Sequence, residues 1–214
     1  IIAGSVNLDV IAAVSLNNEN IVRIKSKGYP MDEVSLDDLE IHKEEYDKAI
    51  SLIRGVLKKI SSMGYEIKGF NAYTESNVMK GSGLSSSAAF EVLVGTIVNN
   101  LCANNEISPV EIAKIGQFAE NVYYNKPSGL LDQMASSVGA VVAVDFKDNE
   151  APVVRKVDFN LSDYDHSLCI IDSGADHADL THEYAAVTEE MRLVSEFFGK
   201  KFLRDVSKSD FMAN

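Results

Sequence analysis

The 214-residue chain is 46% hydrophobic and 24% charged, the balance of a folded globular protein with room for one large core. Its formal net charge of −12 excludes the basic footprint a nucleic-acid partner demands. A nucleotide stays possible, because helix-end amides and a divalent cation can hold one locally. No apolar run reaches the roughly 18 residues of a membrane span, so no membrane partner is expected, and no signal peptide is recognisable. Cys102 and Cys169, without metal-ligand spacing, read as reduced core thiols of a cytoplasmic protein.

In chain order, Ile1 to Ser15 reads as a strand interrupted by Asn7 and Asp9, whose side chains are expected to be exposed. Ile21 to Lys25 alternates as a second strand, and Asn17 to Asn20 between them has turn chemistry, so the two are expected to pair. Lys27 to Asp38 reads as a polar loop. Lys43 to Met63 predicts a long helix with an apolar stripe of Tyr46, Ile50, Ile53, Val56, Leu57 and Ile60, ended by Gly64. Tyr65 to Thr74 predicts a strand leading through Asn77 into the most informative stretch of the chain.

That stretch is Lys80-Gly81-Ser82-Gly83-Leu84-Ser85-Ser86-Ser87-Ala88-Ala89, followed by the apolar run Phe90 to Leu101. Glycines let the backbone approach a ligand closely, and the first turn of the following helix offers unpaired amides and a positive dipole end. Any of the three serines has the chemistry of a helix cap. Strand, glycine loop and helix together predict a phosphate cradle, although neither the Walker nor the Rossmann spacing is present.

Further on, Ser108-Pro109-Val110-Glu111 predicts a capped helix reaching about Tyr124, broken by Asn125 to Gly129. Leu130 to Val138 reads as a short helix, and Ala140 to Phe146, Val153 to Val157 and Leu168 to Asp172 as strands. Leu180 to Phe198 is a last long helix, followed by a polar end without a clear element. The irregular alternation predicts an α+β class with mostly antiparallel pairing. By local pattern alone, Asp132 reads as a carboxylate at a helix terminus, and Glu120 as a solvated helix charge.

The Gly/Ser stretch resembles the phosphate-binding motif of the GHMP small-molecule kinases, Pro-x-x-x-Gly-[Leu/Ile]-x-Ser-Ser-[Ser/Ala], with Met79 in place of the proline. Within that family Gly-Leu-Ser-Ser-Ser-Ala is most similar to the galactokinases. Ser128-Gly129-Leu130-Leu131-Asp132-Gln133 resembles their Gly-[Ile/Leu]-[Met/Leu]-Asp-Gln motif, and Gln117-Phe118-Ala119-Glu120 their Gln-x-Ala-Glu segment, twelve positions earlier. His182-Glu183-Tyr184-Ala185 partly resembles a Ser-Glu-Tyr-Asn segment, with Ala185 for the asparagine and Thr188-Glu189-Glu190 for a following arginine pair. Ser173, Gly174 and His177 resemble the adjoining stretch, His177 being structural rather than catalytic, and Leu203 to Val206 matches a segment further on.

The resemblance implies the GHMP kinase N-terminal domain (ribosomal S5 domain 2-like), a mixed and mostly antiparallel sheet packed with helices, over residues 1–160. Residues 161–214 would begin a C-terminal domain. It implies a sugar 1-kinase that uses ATP and Mg²⁺ on galactose. ATP would be held by Gly81, Ser82, Gly83, Leu84, Ser85, Ser86 and Ser87, with a looser contact from Ser26. Mg²⁺ would be held by Ser87 and Glu120. Asp132 would be the base for the sugar hydroxyl, and Gly129, Asp132 and Tyr184 would contact the sugar. Two family motifs are absent, Gly-Arg-x-Asn-[Leu/Ile]-Ile-Gly-Glu-His-x-Asp-Tyr and a later Gly-Gly-Gly-x-Gly-Gly. The chain is therefore expected to be a piece of a longer enzyme, with negligible turnover by itself. The altered surroundings of Tyr184 leave other readings open: a relative acting on galacturonate, N-acetylgalactosamine or mevalonate, or a non-catalytic sensor. The oligomeric state is not implied.

Overall fold

The computed structural model describes residues 1–78, 83–148, 150–171 and 181–213. It divides into two compact units, Ile1–Ala175 and Asp176–Asn214. The class is α+β, with strands in two sheets that pair mostly antiparallel.

The larger sheet has the order β2-β5-β3-β4, built from β2 (Val10–Leu16), β5 (Phe70–Ser76), β3 (Ile21–Ser26) and β4 (Met31–Ser35). Alternation decides which face is covered: Val22, Ile24, Val34, Phe70 and Ala72 are buried, while Arg23, Lys25, Asn71 and Tyr73 face outward. The covered face packs on Ile53, Val56, Leu57 and Ile60 of α1 (Ala49–Ser62) and on Val94, Ile97 and Val98 of α2 (Ser86–Cys102). The smaller sheet, order β1-β6-β7, consists of β1 (Ile2–Gly4), β6 (Val141–Asp145) and β7 (Val153–Val157). Val142 and Val144 form its core with Ala113 of α3 (Pro109–Phe118), Leu130, and Met134 of α4 (Leu131–Val138). Helices α2, α3 and α4 contact one another, which brings three loops to one place.

Several expectations change. The first two predicted strands do not pair: β5 lies between them, antiparallel to β2 and parallel to β3. Gly69 makes this possible, because it passes under the Asn17–Ile21 connection where an added Cβ would lie 2.0 Å from the Glu19 carbonyl oxygen. The stretch around Asn7 and Asp9 is a break between β1 and β2, which join different sheets. The expected loop at Lys27 to Asp38 contains β4, paired with β3. The long helix starts late, at Ala49, after a 3₁₀ turn at Lys43–Glu45 and Asp47 at φ 60°. Gly64 ends it at φ 94°, as expected. Residues 168–171 form no strand, and the last stretch carries a 3₁₀ turn at Leu203–Asp205 and α6 (Lys208–Ala213). Cys169 is exposed rather than in a core, whereas Cys102 is half-buried with its sulfur 3.3 Å from the Lys68 amide.

In the second unit α5 (Thr181–Phe197) carries Arg192, which pairs with Glu189 and Glu196 on successive turns. Ser195 is buried there, with its hydroxyl bonded to the Arg192 carbonyl. Among the described residues no helix is long and apolar enough to cross a membrane.

Candidate active site

The Gly/Ser loop reaches α2 through Gly83, at φ 75°, and Ser85, at φ 58° and ψ 50°. A left-handed serine costs about 1 kcal/mol, so something fixes it there. Ser85 is the N-cap residue of α2, yet its side chain does not cap the helix. Instead its hydroxyl donates to Oδ2 of Asp132 at 2.6 Å. The expectation of a serine cap fails for this reason: the hydroxyl is committed to another element. The first intrahelical bond runs from the Ala89 amide to the Ser85 carbonyl, and among the described residues no backbone bond takes up the amides of Ser86, Ser87 and Ala88 at the helix's positive end.

Ser87, in the first turn of α2, donates to Oε1 of Glu120 at 2.9 Å. Glu120 is 2% exposed, which overturns its reading as a solvated charge. It sits in a π turn, Ala119–Tyr123, that continues α3 and widens its register, with the Tyr124 amide bonded back to the Ala119 carbonyl. Oε2 accepts from the Gln133 amide at 2.8 Å, and Oε1 also takes the Lys126 ammonium at 3.2 Å.

Asp132 lies exposed in the first turn of α4. The segment before it is pinned to α3 and the π turn: Gln117 and Asn121 both donate to the Ser128 carbonyl, at 3.1 and 3.3 Å, and Asn121 Oδ1 accepts from the Ser128 amide at 2.6 Å. Gly129 is open, with nothing within 4 Å of an added Cβ. Thus a helix start, a π turn and a second helix start place Ser85, Ser87, Glu120 and Asp132 together.

The remaining expected residues lie beside this cluster, apart from it, or outside the described residues. Leu84 and Ser86 are half-buried beside it. Ser26 ends β3, and its hydroxyl accepts from Thr74 at 2.8 Å; among the described residues no hydrogen bond ties it to the loop. Gly81, Ser82, Ser173, Gly174, His177 and the side chain of Tyr184 lie outside the described residues.

The residues present fit a divalent cation. The Ser87 and Glu120 oxygens are hard donors 2.9 Å apart, matching the edge of an octahedron whose bonds are about 2.1 Å. Among the described residues no cluster of three or more His, Cys, Asp or Glu side chains forms a metal site.

Sequence reading missed Glu91 and Lys126, and gave no role to Gln133 although it closes the Asp-Gln motif. Glu91 is fully buried on α2, and Gln133 donates to its Oε2 at 3.1 Å. Burial, reinforced by the nearby Glu120 charge, holds the Glu91 carboxyl well above the usual carboxylate range. Its signal was available, as a lone carboxylate inside the apolar run Phe90 to Leu101. Lys126 gave none, being a charged residue in a polar break.

Residues 51–140 match the model of the GHMP kinases N terminal domain. The chain is 30% identical over 203 residues to a galactokinase of Streptomyces coelicolor, covering 95% of this chain and 52% of the relative. It is 33% identical over 215 residues to a galactokinase of Glaesserella parasuis, covering 97% and 53%. The chain thus spans about half the length of the curated relatives it matches. The crystal structure of Lactococcus lactis galactokinase complexed with galactose superposes with a TM-score of 0.78 at 24% identity, over 100% of this chain and 56% of that one. A mevalonate kinase of Methanococcus jannaschii gives 0.59 at 16% identity, over 76% and 50%. Residues 51–140, which hold Ser85, Ser87, Glu120 and Asp132, are therefore a GHMP kinase N-terminal domain, in a chain whose relatives are galactokinases.

Proposed function

We propose that this chain supplies the nucleotide side and the base of an ATP-dependent sugar kinase, one that transfers the γ-phosphate to the anomeric hydroxyl of galactose. The observation that carries this reading is the pair of bonds tying one loop to two carboxylates, Ser85 to Asp132 and Ser87 to Glu120. Phosphoryl transfer asks mainly for positioning and charge stabilisation, and these bonds set both carboxylates against a helix start.

In this reading the loop Gly81 to Ser87 cradles phosphates with its amides and the dipole of α2. Ser87 and Glu120 hold Mg²⁺, which supplies neutralising charge on the phosphate oxygens when bound. Asp132 accepts the proton of the sugar hydroxyl as that oxygen bonds to the γ-phosphorus. The bond from phosphorus to the bridging oxygen then breaks and ADP leaves. Exposure of Asp132 supports this role, since a base must reach its substrate. Gly129 and Tyr184 contact the sugar, and Ser26 the nucleotide. Residues 1–160 form the ATP-binding domain and residues 161–214 begin a second one. The setting is cytoplasmic, where ATP is supplied, with no nucleic-acid or membrane partner.

The test is ³¹P NMR of ATP with galactose, galacturonate, N-acetylgalactosamine and mevalonate in turn, using the protein that carries this chain. Galactose 1-phosphate should dominate, and Asp132→Asn should lower its formation by about 100-fold or more with ATP affinity unchanged. Strongest turnover on another acceptor overturns the galactose assignment. Tight ATP and galactose binding without any transfer would make the protein a sensor.

A further inference from the structure

The buried face of α2 holds an anomaly. Glu91, one turn after Ser87 and on the same side of the helix, is 0% exposed. Its partner is Gln133, itself 1% exposed, whose amide nitrogen donates to Glu91 Oε2 at 3.1 Å and to Glu120 Oε2 at 2.8 Å. Gly116 of α3 makes room for the pair, since an added Cβ would come within 3.2 Å of Gln133 Cγ, Glu91 Cβ and Glu91 Oε2. Among the described residues Glu91 Oε1 and Gln133 Oε1 have no hydrogen-bond partner, so the arrangement is poor for stability. An apolar side chain of similar volume would stabilise this position better.

What the arrangement does achieve is orientation. Glu120 divides its two oxygens: Oε2 is held inward by Gln133, and Oε1 is left facing Ser87 and Lys126. A carboxamide can turn over and exchange its N–H groups for its oxygen. Here the nitrogen is fixed toward Glu120, because the reverse orientation would set the amide oxygen against the Glu120 carboxylate oxygen, and the same nitrogen is anchored a second time on Oε2 of the neutral Glu91.

We propose that Glu91 is a positioning residue: acting through Gln133, it fixes the carboxylate of Glu120 with Oε1 turned toward Ser87, ready for a divalent cation. The inference rests on the assignment of Ser87 and Glu120 as cation ligands made above. Partners one step behind a metal ligand typically change affinity by about 10–100-fold when removed.

The test compares wild type with Glu91→Leu, Glu91→Gln and Gln133→Met. Three readouts apply: Mn²⁺ affinity in the presence of ATP, by electron paramagnetic resonance; thermal melting; and crystal structures. Glu91→Leu and Gln133→Met should weaken Mn²⁺ about 10-fold or more, while Glu91→Leu melts no lower than wild type. Glu91→Gln should stay within about 3-fold of wild type, because its amide oxygen still accepts from Gln133. A merely structural role would move stability and affinity together. Mn²⁺ affinity of Glu91→Leu within twofold of wild type overturns the inference, as does equal weakening in Glu91→Gln. If Glu91→Leu does not fold, Gln133→Met decides by the same threshold. If wild type binds no Mn²⁺ with ATP, the cation assignment falls, and the crystal structures decide the positioning claim. Glu120 Oε1 still bonded to Ser87 in Glu91→Leu or Gln133→Met overturns that claim; Oε1 turned away supports it.

Discussion

The hydroxyl of Ser85 is spent on Asp132, 2.6 Å away, and not on the helix that Ser85 begins. Two energies meet at this residue. Its backbone is held at φ 58°, which glycine tolerates freely and serine does not, while its side chain fixes Asp132, the carboxylate proposed as the base.

Two variants separate those effects. Ser85→Gly removes both strain and hydroxyl, so melting temperature should hold or rise while galactose phosphorylation falls about 10-fold. Ser85→Ala keeps the strain and loses the bond, so both should fall. The stability difference between the variants should be about 1 kcal/mol, measured by denaturant unfolding. Equal activity in Ser85→Gly and wild type would mean that Asp132 does not depend on this bond.

Lys126 would compete with the proposed cation for one oxygen. Its ammonium sits 3.2 Å from Glu120 Oε1, the same oxygen that faces Ser87, and the lysine side chain is 40% exposed while the carboxylate side chain is 3% exposed. A buried carboxylate deprived of its counter-charge loses stability, and a bound cation restores it. Lys126→Met should therefore melt lower than wild type in chelator, show a larger rise with excess Mg²⁺, and bind Mn²⁺ several-fold more tightly. A Mg²⁺-dependent rise no larger than that of wild type would show that lysine and metal do not share this oxygen.

These contacts also mark what the sequence could disclose. The Gly/Ser loop stood out because its glycines and serines are contiguous, whereas Asp132 was singled out by resemblance, its local pattern giving only a carboxylate at a helix terminus. Helices α2, α3 and α4 followed from periodicity and from Ser108-Pro109, whose hydroxyl does cap the Glu111 amide at 3.2 Å. Strand partners were not legible. Nothing local in Asn17 to Asn20 tells that a strand some fifty residues later will enter beside it, and Gly69 acquires its meaning only against the carbonyls it passes. Glu120 looked like a surface residue because burial is a property of α2 and α4 around it. The π turn that aims it leaves no mark in a pattern of apolar spacing.

Stability should fall with rising pH through Glu91. An acid held neutral by burial has a folded-state pKa above its unfolded value of about 4.3, so below that value neither state is ionised and the group is neutral in its effect. As pH rises further, the unfolded chain releases its proton and the folded one keeps it, which favours unfolding. The loss continues until pH reaches the raised folded-state pKa. Glu91→Gln has no proton to release. Its melting temperature relative to wild type should therefore climb as pH is taken from about 5 to 7, and a constant difference across that range would show that Glu91 is not held protonated.

Gly55 sets the placement of Glu120 from the opposite side. In an exposed helix, glycine to alanine gains about 1 kcal/mol from helix propensity. Gly55 of α1 faces the π turn instead, where an added Cβ would lie 2.8 Å from both Cα and Cβ of Ala119 and 3.0 Å from Tyr123 Cγ. Ala119 Cα is backbone, so relief requires that the turn itself shift rather than one side chain. Overpacking of this kind costs about 1–3 kcal/mol, which outweighs the propensity gain. Because Glu120 is the next residue, the shift should also loosen its bond to Ser87. Gly55→Ala should thus melt lower and bind Mn²⁺ with ATP more weakly, whereas Gly64→Ala, strained at φ 94° but with open space around it, should lose stability alone. Parallel loss of metal affinity in both variants would mean that the weakening reports general destabilisation and not the displacement of one turn.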